Sequence, residues 1–284
     1  MIANFVSTLD GVVAFDTDES SGGGEVSGFF DPDRFVMGLL RAMADVVLVG
    51  AGTVRASPKH EWTARRVHRP SAALYDEWRQ RLDLAADQPT TIVASARGNL
   101  DLAHPGLSAP DVPVIVATTR AGAARLATVA LAPNARVEVA GTGSGVAAPD
   151  LLEIARSVGA GLILCEGGPH VIGELLGANL LDELFLTVAP QIAGRDRDAE
   201  RFSFVEGLAF TVATAPWAEL VSVRRAGDHL FLRYTFDRAR GRPPTAGSAP
   251  RCRPAEPPRR TDQGPPPGAP GAGEAGRSPD RARL

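Results

Sequence analysis

Lysine, cysteine and aromatic residues are scarce in this chain, and each shortage narrows the options. The two cysteines are Cys165 in an apolar run and Cys252 in a polar stretch, so no disulfide framework or Cys-x-x-Cys metal spacing can be written. The five histidines, His60, His68, His104, His170 and His229, are scattered and make no HExxH. No window reaches the roughly 18 uninterrupted apolar residues that a membrane-spanning helix needs. The opening MIANFVSTLDG lacks the basic flank, long apolar region and small-residue cleavage site of a signal peptide. A soluble, cytoplasmic protein without a metal is therefore expected. GxxxxGK[ST] and GxSxG are also missing, which removes the usual signals of nucleotide hydrolysis and serine-hydrolase chemistry.

After Phe236 the chain contains no Val, Ile, Phe, Tyr, Trp or Met, while eleven prolines fall between Asp237 and Leu284. Such a segment cannot bury enough apolar area to offset an ordering entropy of roughly 1–2 kcal/mol per residue. The division expected is one domain over residues 1–236 and an unstructured Pro/Arg/Gly-rich tail over 237–284. The tail holds ten Arg against five acidic residues, so a net charge of −3 leaves the body at about −8. An acidic body is a poor nucleic-acid platform.

Within the body, Phe5 to Thr8 followed by Leu9-Asp10-Gly11 reads as a strand entering a turn. Asp31-Pro32 marks a helix start, Asp as a cap and Pro in the first turn. Phe35, Leu39 and Met43, with Val36 and Leu40 beside them, predict one buried helix face. Val46 to Val49, bounded by Gly50 and Gly52, fits a strand covered on both faces, as in a parallel sheet. Further strands are expected at Thr91 to Ala94, Val114 to Ala117, Val137 to Ala140, Leu162 to Cys165 and Leu184 to Val188. Helical patterns run over Ala121 to Val129, Asp150 to Val158 and His170 to Leu176. Leu220 to Arg225 and Leu230 to Phe236, flanking Ala226-Gly227-Asp228, alternate apolar and polar residues as an antiparallel hairpin does. The fold class is thus α/β, a mixed, mainly parallel sheet flanked by helices with a C-terminal antiparallel hairpin.

LILCEGGPHVIGELL, Leu162 to Leu176, sets Glu166 and two glycines between a strand and a helix. The first N–H groups of a helix are unpaired and carry the positive end of its dipole, so such a turn suits an anion, and glycine lets the backbone approach it. Close helix-strand packing would explain the glycines equally well. A rival turn exists in RVEVAGTGSGVAAPDLLEIA, but Val146 occupies the third glycine position of GxGxxG.

Three blocks in order, STLDG (Ser7 to Gly11), DPDRF…LLRAMADVVLVGAGTVRAS (Asp31 to Ser57) and EGGPHVIGELLGANLLDELFLTVAPQIAG (Glu166 to Gly194), resemble the pyrimidine-reductase domain of riboflavin biosynthesis, within the dihydrofolate-reductase-like superfamily. The resemblance implies a dihydrofolate-reductase-like sheet, NADPH as hydride donor, a pyrimidine or pterin-like small-molecule substrate, and a homodimer. It places Thr53, Ser57, and the segment Gly167, Gly168, Pro169, His170, Val171, Ile172 and Gly173 at the cofactor, with Ser95 and Arg97 at its 2′-phosphate. Glu166 and Arg41 fall on substrate positions, Glu166 also with a catalytic part. Asp10 is a second polar group near the nicotinamide. Each has a plainer reading: Arg41 as a surface arginine near a helix end, Arg97 as an exposed loop arginine, Thr53 and Ser57 as local caps, Asp10 as an ordinary turn residue. The match fails after Arg55, where ASPKHEWTARRVHRPSAALYDEWRQRL replaces an ADNP-like turn. Lys59, Arg65 and Arg66 in that stretch are candidate phosphate anchors beside Arg41. The deaminase signatures HxE and PCxxC are absent. Rival functions are a dihydrofolate-type pterin reductase and a non-catalytic NADPH-binding protein.

Overall fold

The computed structural model describes residues 1–15, 22–84, 86–141, 143–197 and 201–236. These lie in the unit Met1–Pro243. The expected tail, 237–284, is outside the described residues.

In chain order the elements begin with β1 (Ile2–Ser7), β2 (Ala14–Phe15), α1 (Gly23–Ser27), α2 (Asp31–Met43), β3 (Val46–Gly50), α3 (Ala51–Ala56), α4 (Ala64–Val67), α5 (Ala72–Arg81) and β4 (Thr90–Ala94). There follow α6 (Pro105–Ser108), β5 (Val114–Thr118), α7 (Arg120–Leu126), β6 (Ala135–Val139), α8 (Ala148–Ser157), β7 (Ile163–Cys165) and α9 (Pro169–Gly177). The chain then runs through β8 (Glu183–Val188), β9 (Arg201–Phe202), β10 (Ala218–Ala226) and β11 (His229–Phe236).

One large sheet has the order β10-β11-β8-β1-β7-β3-β4-β5-β6. From β8 to β6 every pairing is parallel, and β11 and β10 add antiparallel strands at one edge. This is the expected α/β class. The order also explains the aliphatic runs. All five residues of β3 are buried, as a strand covered on both faces requires, whereas the outermost parallel strand, β6, alternates charged and apolar residues and is half open. Among the described residues no helix is long and apolar enough to cross a membrane.

Two local expectations need correction. Asp31 does not cap α2; it is the first helical residue, Phe30 holds the cap position, and no side chain caps the end. Its charge still suits the positive end of the helix dipole. The stripe Phe35, Leu39 is only partly buried, packing with Tyr75 and Trp78 of α5. Leu40 is buried as expected, and it shares the most buried face of α2 with Asp33 and Arg41. The reason is that α2 is covered twice, by the sheet on one side and by α4 and α5 on the other. The unassigned stretch after Arg55 supplies that second cover. In it, buried Arg79 donates to the carbonyls of Ala42 and Ala44 at 3.1 and 2.8 Å, closing the C-terminal end of α2.

Candidate active site

β7 and β3 lie side by side in register, Leu48 opposite Cys165, so the turns that follow them emerge together. The Gly50 N–H donates to the Gly167 carbonyl at 2.6 Å, and the Glu166 N–H to the Leu48 carbonyl at 3.0 Å. Space at Gly50 is tight, since a Cβ there would stand 3.0 Å from the Gly168 nitrogen. Gly167 has φ +99°, the left-handed region, and a Cβ on it would come within 3.0 Å of the Phe5 ring of β1. The bond between Gly167 and Gly168 is cis. The two glycines are thus the place where three strand ends and the start of α9 converge.

Over these ends sits a cavity of about 620 Å³. Its walls come from β1, β3, β4 and the β7-α9 turn, strands that are neighbours in the sheet. Chain connections run outward in both directions from this point, which is where α/β sheets gather ligands. Of the residues placed at the cofactor by resemblance, Thr53, Ser57, Ser95, Gly168, Pro169, His170 and Val171 line the cavity. Gly167 is not on its wall. Ile172 is fully buried in the core, and Gly173 faces Glu206, whose carbonyl oxygen would be 2.6 Å from an added Cβ. Arg97 is exposed and not on the wall.

The floor is charged. Arg41 Nε donates to Glu166 Oε1 at 2.9 Å and Nη2 to Oε2 at 2.6 Å, a two-pronged pair in which the side chains are only 1% and 7% exposed. Nη1 donates to the carbonyls of Glu61 and Thr63, both at 3.2 Å, and Nη2 also meets His60 Nε2 at 2.8 Å. All five guanidinium N–H groups are therefore engaged within the protein. The surface reading of Arg41 is overturned, and so is a direct phosphate-anchoring role, because it has no donor left. Arg65 and Arg66 pair with Asp76 and Glu61, and neither they nor Lys59 line the cavity. Arg55 does line it.

Asp10 is off the wall too. Its carboxylate accepts from Thr8 Oγ1 at 2.6 Å, from the Ala193 N–H at 3.1 Å and from the Gly194 N–H at 2.8 Å, tying two loops together. Those bonds, the Thr8 hydroxyl first, hold its pKa down to about 2.

Among the wall residues that sequence reasoning missed are Asp33, His60 and Trp62. Asp33, Met37 and Arg41 are spaced by four on α2 and all line the cavity, so the helical period from Arg41 was a usable signal for Asp33. Burial raises the Asp33 pKa, opposed by hydrogen bonds from Thr187 and Ser27 and assisted by the nearby Glu166 charge. His60 is pushed down to about 3 by burial and then by the Arg41 charge.

The residues present suit a dinucleotide. α9 has no acidic residue in its first turn and opens onto the cavity beside the Thr53 and Ser95 hydroxyls and Arg55. That is a donor set for phosphate oxygens.

Residues 1–230 match the model of the RibD C-terminal domain. The 2,5-diamino-6-ribosylamino-4(3H)-pyrimidinone 5′-phosphate reductase of Methanothermobacter thermautotrophicus is 31% identical over 235 residues, covering 83% of this chain and 97% of that protein. Among solved structures, a pyrimidine reductase-like protein from Corynebacterium diphtheriae has a TM-score of 0.61 at 20% identity, over 83% of this chain and 91% of that one. The diaminohydroxyphosphoribosylaminopyrimidine deaminase/5-amino-6-(5-phosphoribosylamino)uracil reductase of Thermotoga maritima has a TM-score of 0.58 at 20% identity, over 83% of this chain and 56% of that longer one. These two likenesses speak for the fold. By its match over most of its length, the chain belongs to the RibD C-terminal domain family.

Proposed function

We propose that the chain is an NADPH-dependent reductase of a ribosylaminopyrimidine phosphate, the substrate class named for its archaeal relative. The observation that carries this is the pairing, in one cavity, of an acid-free helix start at Gly168 with the Arg41–Glu166 pair. When bound, NADPH supplies hydride from its nicotinamide ring to a polarised carbon of the substrate.

The chain's own residues bind, orient and move a proton. Gly168, Thr53 and the first turn of α9 take the cofactor diphosphate, with Ser95 near its 2′-phosphate. Arg55, on the cavity wall, takes the anchoring role that Arg41 cannot. Glu166 is gripped by Arg41 through one lone pair on each oxygen, leaving the others to accept from sugar hydroxyls or a ring N–H. Asp33, whose proton is retained to higher pH than that of an ordinary carboxyl, is the group able to hand one to the reduced substrate.

The pairing of two copies fits the C-terminal edge. Leu220, Val221 and Val223 of β10 are each about half exposed, on an apolar edge strand that has no outer neighbour among the described residues and that a second copy would shield.

NADPH oxidation by the purified chain, followed at its absorbance maximum with 2,5-diamino-6-ribosylamino-4(3H)-pyrimidinone 5′-phosphate or its deaminated form, tests the reading. Turnover is expected with one of them, and Glu166→Gln should lower kcat/KM by roughly 10-fold or more while NADPH binding persists, the loss expected for a charged hydrogen-bond acceptor. Turnover of dihydrofolate alone would make it a pterin reductase; NADPH binding with no turnover of any of the three would make it a binding protein.

A further inference from the structure

His60 lies in the stretch after Arg55 where the chain departs from the family pattern, and nothing above gives it work. Its ring nevertheless sits on the cavity wall, edge-on to Trp62 at 5.4 Å between centroids. Trp62 in turn stacks on His104 at 5.7 Å. His104 is itself fixed, Nδ1 accepting from the Gly106 N–H at 3.0 Å and Nε2 donating to the Ser57 carbonyl at 2.9 Å. The wall behind His60 is thus braced.

The contact of His60 with Arg41 decides its chemistry. A guanidinium has no lone pair to offer, so at 2.8 Å from Arg41 Nη2 the His60 Nε2 must be the acceptor. A neutral imidazole has one proton, which is then on Nδ1. Burial and then the Arg41 charge oppose a second proton. Nδ1 has no hydrogen-bond partner among the described residues, and it is not among the fully buried unpaired atoms. One guanidinium therefore orients two neighbours of opposite character, the acceptor Glu166 and the donor His60.

We infer that His60 is a substrate-contacting, specificity-determining residue, its Nδ1–H donating to an oxygen acceptor of the ligand, a ring carbonyl or a sugar oxygen, beside the groups that donate to Glu166. The inference rests on the reductase reading for the identity of the ligand but not for the state of the ring. Neutral histidine with the proton on Nδ1 discriminates against analogues that present a donor at that point, because two facing N–H groups would both lose hydration without pairing.

The test compares His60→Asn, His60→Gln and His60→Ala in the full chain. An asparagine amide stands where Nδ1 stood, and a glutamine amide where Nε2 stood. With the pyrimidinone phosphate as substrate, His60→Ala should raise KM roughly 5- to 30-fold, the loss of one or two hydrogen bonds, with a smaller change in kcat. Asn should recover more of that loss than Gln. Recovery by Gln and not by Asn would overturn the inference, since it would mean that His60 only steadies Arg41. The second readout needs no turnover: in 15N-labelled protein the His60 resonances, identified by their loss in His60→Gln, should show Nδ1 protonated and Nε2 bare from pH 5 to 8. The Nδ1–H signal should shift when the pyrimidinone phosphate is added. A proton on Nε2, a cation at pH 7, or a signal indifferent to the substrate would each overturn it. If only dihydrofolate is turned over, the function reading fails while the ring state stands, and the same variants are compared with dihydrofolate.

Discussion

Glu166-Gly167-Gly168 and GTGSG are both glycine-rich turns that join a parallel strand to a helix, and of these two only the first has described residues on the cavity wall. Glu166-Gly167-Gly168 leaves β7, in the middle of the sheet, where the ends of β1 and β3 stand beside it. The GTGSG turn that begins at Gly141 leaves β6, the outermost parallel strand, which has no neighbour beyond it among the described residues. The helices after them differ as well. α8 carries Asp150 in its first turn, whose carboxylate already accepts from the Gly141 N–H, so the positive end of that dipole is occupied by the protein's own anion. α9 has no acid in its first turn. Glycine content alone does not distinguish the two turns; the position of the strand and an acid-free helix start do.

The sharpest way to break this contrast is to remove charge at the centre and at the edge. Arg41→Leu should cost about 3–5 kcal/mol in denaturant unfolding, because it strands the buried Glu166 carboxylate. Arg136→Leu on β6 removes an exposed partner of Glu138 and should cost less than about 1 kcal/mol. Equal losses would mean that the central pair is no better sequestered than a surface one.

Glycine substitution follows in size. Gly167→Ala forces a side chain into a left-handed residue against Phe5 and should cost about 1–3 kcal/mol. Gly143→Ala, where an added Cβ meets nothing within 4 Å, should leave the melting temperature nearly unchanged.

A smaller, pH-dependent effect comes from Asp33. Its folded pKa is raised by burial, so the ionised form is the one the fold disfavours. Stability from this group is complete below the ordinary carboxylate value of 3.8 and is lost as pH rises through the folded pKa. Asp33→Asn should accordingly raise the melting temperature at pH 8 relative to the parent, with the gain shrinking toward pH 4, while turnover falls. A gain independent of pH would show that Asp33 does not titrate differently in the fold.

The centre of the sheet was the legible part of the sequence. Aliphatic runs such as Val46 to Val49 can be little else than covered strands, and Glu166 with its glycines stood at a strand end. What stayed hidden depended on tertiary partners. For Arg41 the sequence left a substrate-site reading and a surface reading both open, because arginine is rarely buried unless paired and its partners Glu166, His60 and the Glu61 and Thr63 carbonyls are distant in sequence or in an unpatterned loop. α5 buries Tyr75 and Arg79 amid charged residues, so no apolar period announced it. Arg97 and Asp10 illustrate the opposite limit: correct neighbourhoods in the chain, but side chains that leave the cavity or spend themselves on backbone.

The measurement that reaches the centre of the contrast is the NADPH-induced thermal shift of the parent, Gly168→Val and Gly143→Val. At ligand about 100-fold above the dissociation constant, the parent should gain about 2.7 kcal/mol. Gly143→Val should keep that gain, and Gly168→Val, folded but with its turn filled between Thr53 and the cavity, should lose it. A shift that survives in Gly168→Val and vanishes in Gly143→Val would contradict the assignment and move the diphosphate to the edge of the sheet.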